Sequence, residues 1–133
     1  MRHVRALLVP PNAPHQVMTI ETDSAGSLLP GFQDVMQTGS LDLLVVTDDV
    51  DLWLDRNWRH GTNLNIPVMA TLQALANLNM MRSPVYGPAL FTGPPDDNHE
   101  TQSLADTPLA LIHQVLDVAT AHLGGPWAPG AGQ

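Results

Sequence analysis

Residues 41–55 read Leu-Asp-Leu-Leu-Val-Val-Thr-Asp-Asp-Val-Asp-Leu-Trp-Leu-Asp, and they decide the fold class. The first seven are rich in β-branched and aliphatic side chains and do not alternate, which predicts a strand covered on both faces. Asp48-Asp49 then turns the chain. From Val50 the alternation is strict: Val50, Leu52 and Leu54 point one way, and Asp49, Asp51, Trp53 and Asp55 the other. The stretch therefore predicts a β-hairpin whose returning strand buries one face and offers a carboxylate-flanked Trp53 to solvent or a partner.

Working outward, residues 3–9 predict a strand that stops at Pro10-Pro11. Residues 16–21 form its hairpin mate across a Pro-bearing loop. A short helix follows in the second half of 23–38, with Ser27 as N-cap, Pro30 in the first turn, an apolar face of Phe32, Val35 and Met36, and Gly39 at its end. Beyond the central hairpin comes a polar loop, 56–65, with Asn57, Trp58, Arg59, His60, Asn63 and Asn65. A helix over 67–80, capped by Asn65, carries Val68, Leu72, Leu75 and Leu78 on one stripe. Residues 85–92, from Val85 to Thr92, predict a fifth strand. Pro88 cannot donate to a ladder, which predicts an edge position or a bulge. Residues 93–106 have the composition of a flexible loop, 108–123 predict a last helix, and 124–133 a mobile tail.

The order ββαββαβα, with hairpins between neighbouring strands, argues for an α+β fold. The expectation is one domain over 1–123, with a mixed or mostly antiparallel sheet of about five strands and about three helices packed on one face.

Composition narrows function by exclusion. The chain has 133 residues, one domain's worth, and a formal net charge of −8, because only five basic residues, all Arg, oppose thirteen acids. No basic patch is available to displace counterions from phosphates, which disfavours direct nucleic-acid binding. Cysteine is absent, so thiolate metal sites and Cys nucleophiles are eliminated. No apolar run approaches the roughly 18 residues of a membrane span, and the N-terminal apolar stretch is too short for a secretion signal. A cytoplasmic protein without a membrane partner is expected. The Ser-elbow, phosphate-cradle, dinucleotide and zinc-protease patterns are missing, which lowers the odds of an enzyme.

Several stretches together carry a resemblance: Arg5-Ala6-Leu7-Leu8-Val9-Pro10-Pro11, Phe32 to Thr38 followed by Leu41 to Val46, Asn57 and Gly61, Asn65-Ile66-Pro67-Val68-Met69-Ala70-Thr71, and Tyr86-Gly87-Pro88-Ala89-Leu90. In this order, over about residues 3–120, the chain resembles a family of small proteins of unknown function from bacteriophages, plasmids and actinobacterial mobile elements. Asn57, Pro67, Ala70 and Thr71 fit that family's pattern. Two glutamates usual in its loop are replaced here by Trp58-Arg59-His60, and Met69 stands where Asn is usual. The resemblance implies a mobile-element origin and no defined activity.

Two candidate binding surfaces emerge. Asp49, Asp51, Trp53 and Asp55 set carboxylates around an aromatic anchor, fit for a host or phage protein or for imitating spaced phosphates. The loop with Asn57, Trp58, Arg59, His60 and Asn63 supplies donors and acceptors for a peptide or small polar ligand. Blandly, its asparagines satisfy loop backbone and cap a helix, while the carboxylates form a solvated strand face and Trp53 lies beneath a helix or a subunit. Asp96-Asp97-Asn98-His99-Glu100 lacks the spacing of a calcium loop and reads as a hydrophilic loop. His113 and Asp117, four apart, could pair on the last helix. The leading expectation is a non-enzymatic accessory protein acting by protein–protein binding, with no cofactor and no metal. The alternatives are an acidic nucleic-acid mimic, a small enzyme or nucleotide-binding domain using the Asn-rich loop, and an oligomer paired through an 85–92 edge strand.

Overall fold

The computed structural model describes residues 2–76 and 84–122. Five strands form one sheet: β1 (His3–Val9), β2 (Gln16–Glu21), β3 (Leu41–Thr47), β4 (Val50–Asp55) and β5 (Ala89–Thr92). Three helices accompany them: α1 (Leu29–Met36), α2 (Ile66–Ala76) and α3 (Asp106–His122). The fold is α+β in a single small domain, and every strand pair is antiparallel. The expected run of the second helix to Met80, with its Leu78 position, and the 124–133 tail lie outside the described residues.

The spatial order is β2-β1-β5-β4-β3. Each hairpin forms between sequence neighbours, and α1 carries the chain from the β2 rim to the β3 rim. Strand β5 then slots between the two hairpins, against β1 through Leu7↔Phe91 and against β4 through Leu52↔Phe91.

Three expectations are corrected here. The strand containing Thr92 is not an edge: β5 is central, all four of its residues are buried, and both its ladders are used. Pro88 stands just before the strand, where a missing N–H removes no rung, so the oligomer paired through residues 85–92 has no free edge to use. Conversely β3, expected to be covered on both faces, is a rim strand with Leu43 48 % and Val45 69 % exposed. Aliphatic richness signals burial only on average, and the order of strands in the sheet overrides it.

Helices also cover both faces rather than one. Val50, Leu52 and Leu54 of β4, with Leu7, Val9, Ala89 and Phe91, pack on Val68 and Leu72 of α2 and Ile112 and Leu116 of α3. The opposite face, Val4, Ala6, Ile20 and Leu90, packs on Phe32 and Met36 of α1, with Trp53 against it. Helix α1 ends at Gln37, which takes the left-handed conformation (φ 58°) expected of glycine. The Thr38 N–H closes that end on the Gln33 carbonyl at 3.1 Å.

The segment 93–106, expected to be flexible, is laced into the domain, and its last residue, Asp106, opens α3. Arg2 donates to the Thr101 carbonyl at 2.6 Å, and Arg5 to the Leu104 carbonyl at 2.6 Å and to Asp106 Oδ1 at 2.7 Å. Asp96 Oδ1 accepts the N–H groups of Asn98 and Glu100, a turn-forming use of the acid cluster.

Candidate functional site

Along β4 the four residues of the acidic surface part company. Asp49 is exposed in the turn. Asp51 is 1 % exposed, between Val45 and Thr92 in the ladder, and its Oδ1 has no hydrogen-bond partner. This corrects the expected solvent-facing carboxylate: strand alternation placed Asp51 on the face that α1 and its neighbours occupy, not on an open one. Desolvation raises its pKa above the ordinary carboxylate value. Trp53, half-buried on the same face, packs tilted by 56° against the Phe32 ring of α1, centroids 5.1 Å apart, and donates from Nε1 to Thr92 Oγ1 at 3.1 Å. Its remaining edge opens on a crevice of about 200 Å³ with Leu28, Leu29, Arg2 and Glu100. Asp55, at the far end, accepts the Asn57 N–H at 2.7 Å. Asp49 and Asp55 stand six residues apart along the strand, about 20 Å, with the acid between them buried.

The loop after β4 is built differently. Two tight turns, Trp58 N–H to the Asp55 carbonyl and His60 N–H to the Asn57 carbonyl (both 2.9 Å), coil it back. Trp58 drops its ring onto the core, and the Arg59 guanidinium lies over that ring at 4.5 Å. Tyr86 N–H then donates to the Trp58 carbonyl at 2.9 Å, and Gly87 N–H to the Asn63 carbonyl at 2.8 Å, so segment 84–88 is sewn along the loop.

Asn65 makes the seam permanent. It is fully buried; Nδ2 donates to the carbonyls of Val9 and Gly87, each at 2.8 Å, and Oδ1 caps α2 through the Val68 N–H at 3.1 Å. Two glycines permit the close approach. Gly87 sits at φ 85°, and a Cβ on Gly61 would come within 2.9 Å of Tyr86 Cβ.

The result is an open cleft of about 280 Å³ between the loop and Tyr86–Pro88, bordered by Asp55, Asn57, His60, Thr62 and Asn63. No hydrogen bond among the described residues engages the side chains of Asn57, His60, Thr62 or Asn63. The loop's backbone bonds at Asn57, Trp58, His60 and Asn63 are made with Asp55 and with other backbone, and Asn65 is the asparagine that caps the helix. Of the loop residues singled out in the sequence, Asn57, His60 and Asn63 line the cleft, whereas Trp58 and Arg59 stack on each other outside its lining. The opposite wall, Tyr86–Pro88, was invisible to local reading, because only the Asn65 seam brings it there.

A second polar cluster joins elements far apart in sequence. His113, expected to pair with Asp117, instead meets His15 from the β1–β2 loop, Nδ1 to Nε2 at 3.1 Å, with Asp117 Oδ1 at 3.9 Å from the same His15 nitrogen. Burial first and the neighbouring His113 second lower the His15 pKa, against an upward pull from Asp117. Among the described residues no group of three His, Asp or Glu side chains is arranged to hold a metal ion, and no helix is long and apolar enough to cross a membrane.

No family model matches the chain. No curated protein and no solved structure matches it significantly either.

Proposed function

We infer that this protein is a non-enzymatic binding protein, an accessory of a bacteriophage or other mobile element, which acts in the cytoplasm by gripping a polar segment of a host or phage protein. The cleft between the 57–63 loop and Tyr86–Pro88 is the gripping surface. The observation that carries this is the set of idle side chains on a fixed frame: Asn57, His60, Thr62 and Asn63 line a preformed concavity with their hydrogen-bonding capacity unspent. Mixed donors and acceptors with little net charge suit peptide backbone and polar side chains. The mobile-element origin is carried by the sequence resemblance alone.

A protein segment is favoured over a cofactor, because a small ligand is enclosed by its pocket, whereas this cleft of about 280 Å³ lies open to solvent along the loop. It also contains Asp55 and no arginine, which disfavours a nucleotide phosphate. The acidic-mimic alternative loses support because buried Asp51 interrupts the row of carboxylates it needs.

A photo-crosslinker installed at exposed Thr62 should capture a defined partner from host lysate, and Asn57→Ala with Asn63→Ala should abolish capture. Arg59→Ala should leave it intact. Equal capture by a crosslinker at Val118 on the exposed side of α3, or indifference to the Asn pair, would overturn the inference.

A further inference from the structure

Charge enters the cleft at one point. Among the described residues that border it, with histidine counted as neutral, Asp55 alone carries a formal charge. Its carboxylate is only partly used. Oδ1 accepts the Asn57 N–H at 2.7 Å, whereas Oδ2 makes no hydrogen bond among the described residues. None of the ion pairs among those residues involves Asp55. The two arginines nearest in the chain do not neutralise it: Arg56 is exposed and outside the lining, and Arg59 is held over the Trp58 ring at 4.5 Å. Asp55 is itself only partly exposed, at the wall of a concavity, where a charge acts more strongly than on an open face.

We propose that the segment gripped by the cleft presents a basic side chain, Lys or Arg, whose cationic head docks on Asp55. The proposal rests on the reading of the cleft as a protein-binding surface and adds the chemistry of its occupant. A neutral segment closing over the loop would strip water from Asp55 Oδ2 and return no charge partner, which is costly. An acidic segment would be repelled. A cation satisfies the carboxylate, and its remaining N–H donors find amide and hydroxyl oxygens on Asn57, Thr62 and Asn63, whose side chains are otherwise unengaged. Tyr86 and Pro88, on the opposite wall, offer apolar surface to the methylene stem that a Lys or Arg carries behind its charge. The net charge of −8 on the whole chain works in the same direction, steering basic segments toward it. Shaping the turn does not by itself call for an acid at this position, because one oxygen suffices for the Asn57 N–H and asparagine would supply it.

A random-peptide library displayed on phage and panned against the full chain tests this. Peptides whose binding is lost in the combined Asn57→Ala and Asn63→Ala variant should share a Lys or an Arg. Changing that peptide residue to Gln should weaken binding at least about tenfold. Asp55→Asn in the protein should do the same with circular dichroism and melting curve unaltered, and the two changes together should cost little more than either alone. Asp49→Asn, which removes the same charge from an exposed turn, should leave binding as it is. Rising salt should weaken the wild-type complex more than the Asp55→Asn complex. Cleft-dependent peptides without a basic residue overturn the proposal and leave the cleft a peptide-binding surface. Basic peptides indifferent to Asp55→Asn, or weakened equally by Asp49→Asn, do so too. A library with no peptide that depends on Asn57 and Asn63 overturns the reading of the cleft, and this proposal falls with it.

Discussion

Strand β4 and the loop that follows it are adjacent in sequence and similarly stocked with polar and aromatic side chains, yet the fold uses them in opposite ways. In β4 the functional-looking residues are consumed: Asp51 is enclosed, and Trp53 is packed against Phe32 and bonded to Thr92. In the loop the structural work falls to Asn65, with Trp58 on the core and Asp55 at the first turn, and the side chains of Asn57, His60, Thr62 and Asn63 make no hydrogen bond among the described residues. A strand has no such economy. Both its faces meet other layers, so every second side chain is committed by the architecture rather than by its own chemistry. A loop whose backbone is satisfied by partners elsewhere can leave its side chains for binding.

The sharpest way to break this contrast is at Asn65. Asn65→Ala removes an N-cap and strands two carbonyls, those of Val9 and Gly87, and should cost about 3 kcal/mol in urea unfolding. Asn65→Asp keeps a cap acceptor but aims a carboxylate at both carbonyls; if it were tolerated, the seam would not depend on the Nδ2 donor. Next in size, Trp53→Ala should cost about 2–3 kcal/mol, because it opens a half-filled site against Phe32 and takes away the donor to Thr92 Oγ1, whose hydroxyl keeps its bond to the Gly93 carbonyl. Partner capture at the cleft should survive that change at temperatures where the variant stays folded.

Asp51 gives the contrast a pH signature. Its folded-state pKa is raised, so the folded state holds its proton to higher pH than the unfolded chain does. Its contribution is retained below the ordinary carboxylate pKa and lost as pH climbs through the raised folded value. Asp51→Asn should therefore be more stable than wild type near pH 7 by about 1 kcal/mol. The effect is modest because the group lies shallowly beneath the surface, and the gap should close on acidification toward pH 4. A gap that widens in acid would mean that Asp51 is a satisfied, ionised group. The smallest effect belongs to the loop's own decoration: Arg59→Ala should cost only about 0.5 kcal/mol, the loss of an exposed cation–ring contact.

The same two regions mark what local reading could see. The strand bounds His3–Val9, Gln16–Glu21 and Leu41–Thr47 follow from patterning, and Asn65 was legible as a cap because an asparagine before a Pro-initiated apolar run has few other uses. Its two buried carbonyl contacts were not legible, since Val9 lies 56 residues away. Trp53 had both readings open, and only the passage of α1 across that face chose between them. His15 gave no signal at all, being a lone histidine in a loop until α3 arrived beside it.

The sequence by itself determined the strand and helix segments, their hairpins, the α+β class and the loop's polar stock, because these depend on periodicities of two and 3.6 residues and on turn chemistry within a few positions. Tertiary structure alone decided that β5 is central and β3 a rim, that helices lie on both faces, that Asp51 is enclosed, and that Tyr86–Pro88 walls the cleft. Those outcomes depend on which distant segments compete to cover the same apolar surface. That competition is settled by the total area buried and by satisfied backbone groups across the whole chain, and no local window of residues contains it.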